Sequence, residues 1–315
     1  MRELSVVIPV MNEEENIHPL ISAVRKALRE INYEIIFVDD GSTDATKRRI
    51  KELIDDKITL IELRKNYGQS TAMTAGIDYC NGKYIVLLDG DLQNDPSDIP
   101  MMLDKLKRED WDVVAGNRKN RKDGIFLRKI PSKIANAIIR SMTKVYIQDY
   151  GCTLKIFKKE IAEDLELYGE LHRFIPVLAS MRGARITQVN VKHHARQFGK
   201  SKYGITRTFR VMSDLVTMVF FRRYSQKPMH LFGTMGFICL FFGIIINLYL
   251  LVLKFMSRDI WGKPLLILGL MLLLGGIQLI TIGILAEISI RAYYESGNKK
   301  TYQVRHIYGR TKVGL

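Results

Sequence analysis

The stretch LLDGDLQNDP sets three oxygen-bearing side chains at alternate positions, Asp89, Asp91 and Gln93. Hard carboxylate and carboxamide oxygens so spaced suit Mg2+ or Mn2+, ions that also take the oxygens of a diphosphate. Such an ion acts as a Lewis acid, neutralising charge on a departing nucleoside diphosphate. Two acids two residues apart are a weak signal alone, because acidic loops often follow strands. Their company gives them weight. Upstream, VDDGS supplies Asp39, Asp40 and Ser42. Asp-Gly-Ser is ordinary turn chemistry, and Ser42 or Asp44 can cap the helix that follows. The same two acids can hydrogen-bond a base and a ribose, and the two uses are compatible.

These residues need a scaffold, and residues 1–204 read as one. Short β-rich runs, LSVVIPV, YEIIFVDD, ITLIELR, KYIVLLDG and WDVVAG, alternate with helical patterns over 14–30, 44–55, 69–80, 98–108 and 131–146. Near-continuous apolar runs mark strands buried on both faces, so the class is α/β with a mostly parallel sheet. Ligands of such sheets sit beyond the carboxyl ends of the strands. The polar residues gather there: Asn12 and Glu13 after the first run, Asp39 and Asp40 after the second, Lys65 and Asn66 after the third, Asp89 to Gln93 after the fourth. Four loops are expected to converge on one crevice. The chain has no GxGxxG and no GxxxxGK[ST], which argues against a Rossmann dinucleotide site and a Walker phosphate loop.

Two apolar stretches, from about Leu231 to Leu253 and from about Leu265 to Ile290, each exceed the roughly 20 residues that cross a bilayer. The short connector KFMSRDIWGK makes them a hairpin. Glu287, near the end of the second span, can snorkel or pair with Arg291. Lys254, Arg258 and Lys263 lie between the spans. Arg222, Arg223 and Lys227 precede them, and Arg291, Lys299, Lys300, Arg305, Arg310 and Lys312 follow. The heavier positive charge outside the hairpin predicts cytosolic termini and a cytosolic catalytic domain at the cell membrane. Residues 205–228, with apolar positions at helical spacing and interleaved arginines, predict an amphipathic helix on the membrane surface. The plan is a domain over 1–204, that helix, two spans over 229–291 and a tail over 292–315. The tail TYQVRHIYGR is a candidate strand for pairing with another chain.

The chain has 315 residues, is 47% hydrophobic and carries a formal net charge of +15, which suits phosphorylated substrates or an anionic membrane. The basic residues crowd the membrane flanks and form no aromatic-interleaved groove, so nucleic acid is not an expected partner. The N-terminus enters a strand pattern directly, with too short an apolar run for a signal peptide. Cys80, Cys152 and Cys239 are widely spaced and odd in number, which fits a reducing compartment better than a disulfide framework.

Read in order, VVIPVMNEEENI, FVDDGSTD, LRKNYGQSTAMTAG, LLDGDLQNDP, GNR, DYGCTLKIFKK and HRFIP resemble glycosyltransferase family 2 over about residues 3–230. Within it they look most like the polyprenyl-phosphate branch, which includes dolichol-phosphate mannose synthases and bacterial undecaprenyl-phosphate glucosyltransferases. The resemblance implies a GT-A fold, inverting transfer, a nucleotide-sugar donor, a lipid-phosphate acceptor and self-association, with a tetramer among the outcomes. It places the donor near Pro9, Asn12, Glu13, Asp39, Asp40, Ser42, Lys65 and Asp89, and the metal on Asp91 and Gln93 with Asp89 beside them. It assigns Arg118, Arg128 and Ser132 to the acceptor phosphate. Arg196 and Lys202, in ARQFGKSKYG, are further phosphate candidates; plain attraction to anionic lipid is the alternative reading. Asp149 of QDYGC would orient the sugar or assist as base. Met11 stands where relatives carry an aromatic residue that stacks on the base, so a thioether contact is expected instead.

The expected reaction is a single displacement by a phosphate oxygen that is already ionised at neutral pH, the second pKa of a monoester being about 6. No strong base is then required, and positioning and electrostatics by Asp91, Asp149 and Arg128 do most of the work. UDP-glucose is the first candidate donor; GDP-mannose and UDP-N-acetylhexosamine stand beside it. A processive synthase lacks support, since the Q-x-x-R-W motif and a pore-forming number of helices are absent from the sequence. A non-catalytic membrane adaptor that binds nucleotide-sugar or anionic lipid is the reading from a different class.

Overall fold

The computed structural model describes residues 2–119, 146–163, 165, 167, 171–195, 229–256, 258–260, 263–295 and 300–309. Most of the helix expected over 131–146, the amphipathic helix over 205–228, and Arg128, Ser132, Arg196 and Lys202 lie outside the described residues. The chain divides into two compact units, one of Met1–Val216 with Lys300–Leu315, the other of Thr217–Lys299.

The first unit is built on an eight-stranded sheet. Its strands are β1 (Leu4–Val10), β2 (Tyr33–Asp39), β3 (Ile58–Leu63), β4 (Tyr84–Leu87), β5 (Val113–Asn117), β6 (Lys155–Lys158), β7 (Ile186–Asn190) and β8 (Val304–Tyr308), in the spatial order β7-β5-β6-β4-β1-β2-β3-β8. β4, β1, β2 and β3 run parallel, as do β5 and β7. β6 lies antiparallel between β4 and β5, and β8 antiparallel on β3. Every residue of β1 and β2 is buried. Helices cover both faces, which is why their sequences run apolar without alternation. The helices are α1 (Ile17–Ala27), α2 (Thr46–Lys51), α3 (Gln69–Ile77), α4 (Ile99–Arg108), α5 (Lys159–Glu163) and α6 (Ile175–Met181). One face of the sheet packs Ile17, Leu20 and Val24 of α1 with Met102 and Leu106 of α4. The other packs Ala72, Met73 and Ala75 of α3 with Ile175 of α6.

Chain order reverses at β1, where β2 and β4 flank it on opposite sides. Beyond the carboxyl ends of the strands, such a switch point is where ligands of parallel sheets bind, and the crevice is taken to lie there. The five expected strands are all present. β6 and β7 are additions that the sequence patterns did not mark, and β8 falls within the tail segment expected to form a strand. The tail strand pairs with this chain's own β3, Leu60 opposite Tyr308 and Ile61 opposite Ile307, where a second chain had been the expected partner. Its pairing covers the sheet edge that β3 would otherwise present. Tyr302 is buried beside it and donates to Asp78 at 2.7 Å.

The second unit contains two long helices, α7 (Met229–Phe255) and α8 (Pro264–Glu295). Segments of 25 and 26 residues, Leu231–Phe255 and Pro264–Ser289, are long and apolar enough to cross a membrane. The helices pack backbone against backbone at two glycines. A Cβ on Gly236 would lie 2.8 Å from the Gly276 carbonyl oxygen, and a Cβ on Gly276 equally close to that of Gly236. Small residues at such crossings let apolar helices pack backbone to backbone.

Candidate active site

The first wall of the crevice follows β1 and β2. Pro9 is buried in β1 opposite Val38. Beyond it Asn12 adopts a left-handed backbone, φ 51°. The geometry is held from β2: the Asn12 amide donates to Ser42 Oγ at 3.0 Å, and Thr43 N donates to Asn12 Oδ1 at 2.8 Å. The Glu13 amide donates to Thr46 Oγ1 at 2.9 Å. Ser42 N donates to both oxygens of Asp39, at 3.2 and 3.3 Å, so the first acid of VDDGS closes its own turn. Asp40 does different work. It accepts the amides of Tyr67 at 2.7 Å and Gly68 at 2.9 Å, drawing the loop after β3 onto the end of β2. Both acids are buried, and burial raises both pKa values; Ser42 opposes the rise at Asp39, and the Tyr67 and Gly68 amides oppose it at Asp40. Asn66 in the drawn-in loop donates to the Met11 sulfur, and Lys65 Nζ sits over the Tyr67 ring. Met11, Lys65 and the VDDGS turn thus meet on one side of the crevice.

The second wall is the acidic loop after β4. Leu92 has φ 58°, a conformation costly for a branched side chain. Leu92 packs on the core, which holds the strained residue and fixes its neighbours Asp91 and Gln93. Asp91 is buried and accepts the Gln93 amide at 3.1 Å. Asp89 accepts from the Gln69 side chain at 2.8 Å. A segment after β7 straps the far side: Asn94 bridges His193, and the His194 amide donates to the Gln93 carbonyl at 2.9 Å. Among the described residues no three His, Cys, Asp or Glu side chains gather into a closed metal cage. The loop after β4 nevertheless carries two carboxylates and a carboxamide, Asp89, Asp91 and Gln93, hard oxygen donors by their chemistry. Such a set fits a divalent ion that takes its other ligands from a diphosphate.

The third wall follows β5 and precedes β6. Arg118 and Asp149 meet in a buried fork, Nε to Oδ2 at 2.7 Å and Nη2 to Oδ1 at 3.0 Å. The amides of Arg118, at 3.3 Å, and Gly151, at 3.1 Å, also donate to Asp149. Burial works against the guanidinium charge, but Asp149 outweighs it and the Arg118 pKa is raised; Asp89 adds to the same field. Arg118 therefore meets a carboxylate of its own chain before any acceptor phosphate.

Sequence reasoning passed over Gln69, Ser70, His172, His193 and His194. The first turn of α3 gathers three ties in a row: Gly68 to Asp40, Gln69 to Asp89, and Ser70 Oγ to His172 Nδ1 at 2.8 Å. NYGQS gives one hint, a glycine followed by two side-chain donors at a helix start. The pairing with His172, across 102 residues, has no local signal.

Residues 5–166 match the family described as Glycosyl transferase family 2. The chain belongs to that family. Two relatives match it along nearly its whole length. Dodecaprenyl-phosphate galacturonate synthase of Rhizobium johnstonii is 46% identical over 314 residues, covering 97% of this chain and 93% of the relative. Undecaprenyl-phosphate 4-deoxy-4-formamido-L-arabinose transferase of Photorhabdus laumondii subsp. laumondii is 33% identical over 320 residues, covering 99% and 96%. Both are polyprenyl-phosphate glycosyltransferases, the branch the motif order resembles. Among solved structures, glucosyl-3-phosphoglycerate synthase from Mycobacterium tuberculosis, in complex with Mn2+, UDP and phosphoglyceric acid, superposes with a TM-score of 0.54 at 18% identity. That superposition covers 70% of this chain and 78% of the other, and it establishes the GT-A fold for this family 2 member.

Proposed function

We propose that the protein transfers a glycosyl group from a UDP-sugar to a polyprenyl phosphate, with inversion, and that the sugar is a uronic acid of the galacturonate type. One observation carries the transfer reading: the loops after β1, β2, β3 and β4 converge at the switch point, with Asp39 and Asp40 on one wall and Asp89 and Asp91 on the other. The uronic acid is supported by the 46% identical relative, whose product is a polyprenyl-phosphate galacturonate. UDP-glucose is the competing donor.

In this reading Asn12, Asp39, Asp40 and the loop Lys65–Gly68 bind the nucleoside. Asp91, with Asp89 and Gln93, would hold Mg2+ or Mn2+. A divalent ion there supplies charge neutralisation to the leaving diphosphate. The attacking oxygen of the lipid phosphate is already ionised, so a carboxylate base is not needed. Asp149, tied up in the fork with Arg118, orients and does not abstract a proton. The Arg118 fork uses Nε and one Nη2 hydrogen, which leaves Nη1 for an anion. Arg128, Ser132, Arg196 and Lys202 complete the acceptor side in this proposal, and the two spans keep the enzyme at its lipid substrate with both termini cytosolic.

The test uses the purified full-length protein in detergent with undecaprenyl phosphate, Mn2+ and a panel of UDP-galacturonate, UDP-glucose, UDP-N-acetylglucosamine and GDP-mannose. Mass spectrometry of the lipid fraction is expected to show polyprenyl phosphate gaining the mass of a uronic acid. Gain of a hexose alone moves the assignment to UDP-glucose. No gain with any donor removes the enzyme reading and leaves a binding protein.

A further inference from the structure

Lys155 opens β6 and is 1% exposed. A buried ammonium costs several kcal/mol unless it is paired and hydrogen-bonded. Among the described residues no carboxylate lies within ion-pair distance of it. Its Nζ donates instead to two main-chain carbonyls, those of Cys152 and Tyr150. Burial lowers its pKa to about 8, while the nearby Cys152 and Asp149 work in the opposite direction. A methionine of similar length would fill the same space without that cost, so the two carbonyl bonds are what the charge provides.

The carbonyls it holds flank Gly151, whose amide donates to Asp149. One short turn is thus gripped twice, from the core by Lys155 and from the carboxyl edge of the sheet by Asp149. The register places Lys155 opposite Leu87 of β4 and Ala115 of β5. Those two strands lead directly into Asp89 and into Arg118. Lys155 therefore underlies the meeting point of the acidic loop and the buried fork.

We propose that Lys155 is a positioning residue for the glycosyl transfer: it draws the Tyr150 and Cys152 carbonyls inward and so sets the Asp149 carboxylate against Arg118. This rests on the transfer reading above. The experiment compares the parent, Lys155→Met, Asp149→Asn and the double variant as full-length proteins. It follows transfer from UDP-galacturonate or whichever donor the panel selects, UDP affinity with Mn2+ by calorimetry, and Tm. Lys155→Met is expected to lower kcat about tenfold or more, to leave the UDP Kd within about twofold, and to cost nothing further once Asp149 is Asn. A kcat equal to the parent's overturns the proposal. An equal loss in the Asp149→Asn background also overturns it, because Lys155 then acts independently of the fork. Should Lys155→Met fail to fold, Lys155→Ala with added ethylammonium decides. Recovery of kcat by the cation and not by ethanol supports the role, and equal recovery by both, or none, ends it. A parent that transfers no sugar defeats the transfer reading itself, whereas an unaffected Lys155→Met defeats only the positioning role.

Discussion

Arg118 and Asp149 show how much a buried pair changes the meaning of its members. Both side chains are about nine-tenths buried, 11% and 10% exposed. Removing one leaves the other charged and unpaired in a dry setting. Arg118→Ala is therefore expected to destabilise the protein by about 3–5 kcal/mol, and Arg118→Lys, which keeps the charge and loses the fork, by less. Denaturant unfolding in detergent measures both. From the sequence, Arg118 could be read as a phosphate ligand and Asp149 as a base, each alone. Their pairing depends on β6 running antiparallel beside β5, which no local pattern announces. Asp40 carries a pH signature. Burial raises its folded-state pKa above the unfolded 3.8, so the folded state binds that proton more tightly. The stability it contributes is complete below the unfolded value and is lost as pH rises through the folded one. Asp40→Asn has no such proton. The Tm of Asp40→Asn minus that of the parent is expected to grow as pH rises from about 4 toward 7. A difference that shrinks over that range contradicts the burial account.

At the scale of elements, the loops after the strands matter more than the strands. Gly41 sits at φ 78°, and a Cβ there would lie 2.9 Å from the Asn66 amide nitrogen. Gly41→Ala adds about 1–2 kcal/mol of backbone strain and pushes away the loop that Asp40 draws in. Its UDP affinity, by calorimetry, is expected to fall about tenfold with the fold retained. The strands of this half were legible because β1 and β2 are buried on both faces and so run apolar without a break. β4 was found for the same reason, although only Tyr84–Leu87 pair as strand. β7 was not, because its residues are half-exposed and its sequence ITQVN alternates weakly. β6 is a short KIFK run whose first lysine argues against burial, and the structure buries it nonetheless. Of the candidate site, the acids on the parallel strands were readable because position after a strand suffices to place them. The supports from α3, His172 and the His193–His194 segment come from distant parts of the chain, so spacing could not reveal them.

The whole molecule folds its catalytic unit from two separated stretches of sequence, with two apolar helices between them. The two long apolar helices were the plainest feature of the sequence, since length and composition mark them. The return of the tail as β8 was half visible: its strand character could be read, its partner could not. What joins these parts into one account is the crevice at the switch point. There, in the proposed function, the loop bearing Asp91 seats the donor diphosphate together with a divalent ion. Calorimetric titration of UDP into the purified protein, with Mn2+ and again with excess chelator, tests that claim most directly when repeated on Asp91→Ala. The expected result is Mn2+-dependent binding by the parent and loss of that dependence in a variant that remains folded. Equal UDP affinity in the parent and Asp91→Ala, with or without the metal, would contradict it.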